Sequence, residues 1–241
     1  AAEAAYNKAI ELKPDYVEAH VNMGALLKEF ERLEEAIASY RTAIKFNPKV
    51  AAVYNNLGNA LFELKQYNQA ASSYEEAIKL KPEYVEAFSG LGNAFKYLDR
   101  QKDAYFNYKR SAIIEPKHAG GYSEIANYHY SIKDYNAAIS IYYWVLILRP
   151  LDPINCTRLG NILSEYGDHK RAVEVYSLSV NSHPTNYACY YNLGTALSET
   201  GKLEQSLLQL LKGCILNPSF GAVYNNMGNS LRRLGNFHKA I

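Results

Sequence analysis

The chain has 241 residues, 48% of them hydrophobic and 21% charged, with a formal net charge of +2. That apolar fraction is enough for a folded core and excludes a disordered segment. The near-neutral balance speaks against a nucleic-acid binder, which carries a basic excess or stripe. No run of 18 or more apolar residues is present, so no membrane insertion is expected. Three cysteines, none in a C-x-x-C pair, make no disulfide framework and fit a reducing compartment, cytoplasmic or nuclear. The opening AAEAAYNKAIELKP has neither an initiator Met nor a signal-peptide pattern and reads as part of something longer.

The prolines set the organisation. Pro14, Pro48, Pro82, Pro116, Pro150, Pro184 and Pro218 are each 34 residues apart. With each of them at position 32 of a 34-residue unit, the chain begins with an unpaired second helix over 1–16. Six helix pairs follow over 17–50, 51–84, 85–118, 119–152, 153–186 and 187–220. A first helix with the start of its partner occupies 221–241. Position 8 is Gly24, Gly58, Gly92, Ala126, Gly160, Gly194 and Gly228, and position 20 is small throughout, from Ala2 and Ala36 to Ser206 and Ala240. Position 24 is Tyr6, Tyr40, Tyr74, Tyr108, Tyr142 and Tyr176, then Leu210. Position 4 is aromatic at Tyr54, Phe88, Tyr122, Tyr190 and Tyr224, with His20 and Cys156 departing.

Within a unit, Tyr54, Leu57, Leu61 and Leu64 line one face of a first helix, and Ala70, Tyr74, Ala77 and Ile78 one face of a second. Small residues at positions 8 and 20 let the two helices approach, and the position-24 Tyr fills the adjoining gap. Pro cannot continue a helix interior, so each second helix ends before it. Asp15, Asp152, Thr185 and Ser219 are the expected caps of the next first helices.

The period, the Leu-Gly pair, the aromatic, the small residue and the closing Pro resemble the tetratricopeptide repeat family over the whole chain. The resemblance implies an all-α fold: a right-handed superhelical α-solenoid of antiparallel helix pairs, first helices lining the concave wall. It also implies a protein–protein interaction scaffold that takes a protein or peptide ligand, as an extended segment or a partner helix, in the concave groove. First-helix positions 2, 5, 6, 9, 12 and 13 would face that groove.

Position 6 carries Asn22, Asn56, Asn192 and Asn226, interrupted by Gly90, Glu124 and Arg158; position 9 carries Asn59, Asn93, Asn127, Asn161 and Asn229. An asparagine has both donor and acceptor atoms, so such a ladder can pair with any extended backbone without reading its sequence. The same asparagines could instead bond neighbouring repeats. Phe62, Tyr97, Tyr130 and Tyr191 are candidate anchors or extra packing between repeats. Glu29, Glu63, Glu165 and Glu199 recur at position 13, where a charge opposing the helix dipole suggests pairing with a neighbour or a basic ligand.

A subclass of the family grips acidic chaperone tails with a two-carboxylate clamp built on Lys at position 5, Asn at 9 and 6, and Lys at 2 with Arg at 6. Here position 5 holds no Lys, Ile154 stands at position 2 beside Arg158, and chaperone-tail binding is not expected. The strings YNNLGNAL (54–61), YYNLGTAL (190–197) and YNNMGNSL (224–231) resemble the arrays of O-linked N-acetylglucosamine transferases, which implies an alternative role as the substrate-reading arm of such an enzyme. No phosphate-binding glycine loop, no metal-ligand spacing among the six histidines and no nucleophile–base set is present. No cofactor and no catalytic residue is therefore expected in this segment. The Asn155-Cys156-Thr157 sequon falls inside a helix and is expected to occur by chance. The half-repeats at the two ends suggest a segment of a longer array, or stacking between copies end to end.

Overall fold

The computed structural model describes residues 1–150 and 152–235; Leu151, His238 and Ala240 lie outside the described residues. Contacts divide the chain into two compact units, Ala1–Glu124 and Ile125–Ile241. All regular structure among the described residues is helical.

The first unit contains α1 (Ala2–Leu12), α2 (Val17–Glu29), α3 (Leu33–Phe46), α4 (Ala51–Glu63), α5 (Tyr67–Leu80), α6 (Val85–Tyr97), α7 (Gln101–Ile114) and the opening turns of α8 (Ala119–Ser131). The second contains the rest of α8, then α9 (Tyr135–Leu148), α10 (Pro153–Glu165), α11 (His169–Ser182), α12 (Tyr187–Glu199), α13 (Leu203–Leu216) and α14 (Gly221–Arg233). First and second helices alternate, and the short turns bring them together as antiparallel neighbours, α2 with α3, α4 with α5 and α6 with α7 in the first unit, α10 with α11 and α12 with α13 in the second.

The core is a repeated clasp of a glycine and a tyrosine. A Cβ at Gly58 would come within 2.6 Å of the Tyr74 ring, and the same holds for Gly24 on Tyr40 and Gly92 on Tyr108 in the first unit. In the second unit Gly160 meets Tyr176 and Gly194 meets Leu210 in the same way. Tyr40, Tyr74 and Tyr142 are almost fully buried with Ala36, Ala70 and Ala138 beside them. Gly90 lies as close to Tyr74 from the following repeat.

In three repeats the position-4 side chain ties the first helix to the proline before it. Tyr190 Oη donates to Pro184 O at 3.1 Å, and Tyr224 Oη to Pro218 O at 3.1 Å. His20 departs from the aromatic pattern yet keeps the bond, with Nε2 2.8 Å from Pro14 O. Cys156 makes no such bond and is a fully buried thiol. Burial, with Asp152 nearby, pushes its pKa up and keeps it protonated. Asn155 is also buried, which suits the reading of its sequon as chance.

The hairpins and caps differ from expectation in one respect. Asp152 caps α10 as expected, accepting from the Ile154 and Asn155 amides at 2.9 and 3.3 Å. Asp15, Thr185 and Ser219 do not cap: the residues preceding α2, α12 and α14 are Tyr16, Asn186 and Phe220, one position later. Asn186 does the work assigned to Thr185, accepting from Ala188 N at 3.0 Å.

Candidate functional site

The first helices carry a regular polar arrangement at position 9. In the first unit Tyr74 Oη donates to Asn59 Oδ1 and Tyr108 Oη to Asn93 Oδ1, each at 2.8 Å. In the second, Tyr142 Oη donates to Asn127 Oδ1 at 2.5 Å and Tyr176 Oη to Asn161 Oδ1 at 2.6 Å. Each bond lies within one helix pair, so these asparagines do not tie repeat to repeat through the carbonyl. The buried ring orients the amide, and its carbonyl oxygen is engaged. The donating Nδ2 group then points away from the ring. At these four positions the tyrosine hydroxyl takes up one acceptor site of the carbonyl oxygen and orients the amide. Asn93 and Asn161 are exposed; Asn59 and Asn127 are half-buried.

Position 6 behaves differently. Asn226 Nδ2 donates to Thr195 Oγ1 of the preceding repeat at 2.9 Å. Asn22 is exposed on α2, while Asn56, Arg158 and Asn192 are half-buried on α4, α10 and α12. Asn229 is exposed on α14.

Position 12 reaches from one first helix to the next. Lys28 Nζ pairs with Glu63 at 2.8 Å, and Lys96 Nζ with Glu124 at 2.7 Å. Phe62 meets Tyr97 edge-on at 5.3 Å between centroids, and Tyr67 stacks on Tyr97 at 4.8 Å. In the second unit Tyr130 Oη and Tyr135 Oη donate to the two oxygens of Glu165, at 2.5 and 2.7 Å. Those two hydroxyls hold the Glu165 carboxyl below the usual carboxylate range and push both phenols up. Arg233 Nη1 donates to Ser198 Oγ at 3.0 Å at the last described interface. Glu63 and Glu165 thus pair with a neighbouring repeat, one of the two fates expected of the position-13 glutamates.

One such interface is open. Between α10, α11 and α12, a cavity of about 230 Å³ is lined by Asn161, Ser164, His169, Tyr191, Thr195 and Glu199. It brings together three of the asparagine and tyrosine candidates, Asn161, Tyr191 and Asn192. Tyr191 is held by Phe220, with ring centroids 5.1 Å apart. A hollow of about 410 Å³ adjoins it on the far side of His169 and Glu199, and includes Tyr166, Asp168 and Lys170. A further cavity of about 230 Å³ between α12 and α14 has Thr195, Ser198, Asn226, Asn229 and Arg233 on its walls. Among the described residues no group of three metal-ligating side chains is gathered, and no helix is long and apolar enough to cross a membrane.

Sequence reasoning missed the partnership of positions 9 and 24, although the 15-residue spacing of each Tyr–Asn pair is visible in the repeat. It also missed the cavity at Ser164. The signal was a small residue at a position that holds Lys28, Phe62, Lys96 and Tyr130 in the four earlier repeats.

A family model described as TPR repeat matches residues 31–65 and 58–99, and one described as Tetratricopeptide repeat matches 5–38. The same helix pair recurs beyond residue 99. Residues 5–99 are thus matched by tetratricopeptide repeat models, and this repeat architecture is in keeping with a protein-interaction scaffold. No curated protein matches it. Among solved structures it is similar to a tetratricopeptide repeat protein from Parabacteroides merdae, with 17% identity, a TM-score of 0.65 and coverage of 95% of this chain and 91% of that one. It is similar to PilF of Pseudomonas aeruginosa, with 15% identity, a TM-score of 0.71 and coverage of 84% and 92%. It is also similar to YrrB, described as a TPR protein with an unusual peptide-binding site, with 20% identity, a TM-score of 0.50 and coverage of 93% and 98%.

Proposed function

We propose that this chain holds extended peptide segments of a partner protein along its first-helix faces, the position-9 asparagines donating to backbone carbonyl oxygens of the ligand. The observation that carries this reading is the Tyr–Asn bond repeated in four helix pairs, which gives each asparagine one fixed orientation before any ligand arrives. Preorganised donors cost little ordering entropy on binding. They favour a peptide backbone, which repeats its carbonyls whatever its side chains. That a protein of similar fold is described as having a peptide-binding site supports the same reading.

Asn→Asp substitution separates the two roles of these residues. In Asn93→Asp the side chain still accepts from Tyr108 Oη, while its donor becomes a second acceptor. A peptide selected from a random-sequence library against the native chain is measured against Asn93→Asp and Asn161→Asp. Binding is expected to fall about tenfold or more, since a ligand carbonyl then faces an oxygen, with the melting temperature nearly unchanged. Unchanged affinity in both variants would contradict the proposal.

A further inference from the structure

Position 12 bridges neighbouring first helices through Lys28, Phe62, Lys96 and Tyr130, and a short Ser164 stands there in the next repeat. The position is Tyr130 in one repeat and Ser164 in the next; position 17 is Tyr135 and then His169; position 13 of the following helix is Glu165 and then Glu199. At the earlier interface two phenol rings occupy the space and both hydroxyls donate to the carboxylate. At the later one the carboxylate is kept, the rings are replaced by a hydroxymethyl and an imidazole, and the space is the 230 Å³ cavity.

We propose that this cavity receives a tyrosine side chain from the bound peptide, which takes the place that Tyr130 fills one repeat earlier. The inference rests on the peptide-holding reading above and adds a side-chain preference to it. Three features of the cavity point to a phenol. Its volume exceeds the roughly 150 Å³ that admits a benzene ring. Its walls include the rings of Tyr176 and Tyr191 and the methyl of Ala196, which suit the flat faces of an aromatic guest. Its lining also includes Glu199, an exposed carboxylate.

A phenol hydroxyl can donate to that carboxylate, as Tyr130 and Tyr135 donate to Glu165 one repeat earlier. Phenylalanine would fill the volume and offer the Glu199 carboxylate no donor. A lysine could pair with Glu199 as Lys28 pairs with Glu63. A lysine would leave the ring-sized space unfilled.

The test uses p-cresol, toluene and four peptides, Ac-Gly-Gly-Ala-X-Ala-Gly-Gly-NH2 with X as tyrosine, phenylalanine, lysine or alanine. All are titrated into the ¹⁵N-labelled native chain. Saturable shifts of the Thr195 and Glu199 amides with p-cresol are expected, and binding about tenfold weaker for toluene. The tyrosine peptide is expected to bind about tenfold tighter than the other three. Ser164→Tyr copies the earlier repeat and is expected to abolish cresol binding while raising the melting temperature. Should that variant not fold, Glu199→Gln, at an exposed position, is expected to erase the preference for p-cresol over toluene.

No cresol shift at these amides overturns the proposal. Four peptides bound with equal affinity overturn the tyrosine site and leave the backbone grip intact. Cresol bound at these amides and lost in Ser164→Tyr, with no peptide binding at all, upholds the phenol site and contradicts the backbone grip.

Discussion

Seven residues that follow a first helix share one left-handed backbone conformation at position 15: Glu31, Lys65, Asp99 and Lys133 with φ of 58 to 61°, and Gly167, Gly201 and Gly235 with φ of 74 to 90°. The turn closes with the next amide reaching back five residues, as Gln66 N does to Leu61 O at 2.8 Å and Lys202 N to Leu197 O at 3.0 Å. An L-residue in that region costs about 1–2 kcal/mol, part of which a glycine gives back in chain entropy. Lys65→Gly is therefore expected to stabilise the chain by up to about 1 kcal/mol. Gly201→Lys, whose Cβ would meet nothing within 4 Å, is expected to lose a similar amount through the backbone alone. Urea-denaturation midpoints that move the other way would show that the turn is not the strained element. These turns were not read from sequence, because four different residue types stand at a position where only backbone geometry is shared.

At the scale of the element, the glycine–tyrosine clasp decides how closely two helices of a pair approach. Gly58→Val is expected to push the Tyr74 ring from its site and cost about 1–3 kcal/mol by overpacking. Ala126 occupies the same position in another repeat and shows that one methyl can be housed. Gly58→Ala should accordingly cost clearly less than Gly58→Val; equal melting curves for the valine variant and the native chain would contradict the clasp. The helix register was legible, because proline, glycine and tyrosine each do one steric task at a fixed offset. The asparagines were legible as a series and ambiguous in role, since composition does not say which of their two polar ends is engaged. The cavity at Ser164 was not legible. It depends on side chains from three helices, each ordinary where it stands.

The whole molecule shares one titration. Burial is the first cause that raises the Tyr40 and Tyr176 phenols to about 12; it raises Tyr74 and Tyr108 as well, helped by Glu63 and Glu124 respectively. In the unfolded chain a tyrosine ionises near 10. The folded state therefore holds these protons longer, and its stability is fully present below about pH 10 and falls as pH rises through about 12. Denaturation followed between pH 8 and pH 12 is expected to give a flat stability up to about 10 and a steep decline above it. A decline that starts near neutrality would show that other groups govern the fold. Because repeats lean only on their neighbours, the loss should reach every helix pair that carries a buried position-24 tyrosine.

The central claim is that tyrosine-pinned asparagines donate to a bound backbone. The side-chain amide resonances of Asn93 and Asn161, followed by ¹⁵N NMR during titration with a library-selected peptide, test it most directly. Both pairs of Nδ2 protons are predicted to move downfield and saturate together with the peptide; binding that saturates while both stay in place would contradict it.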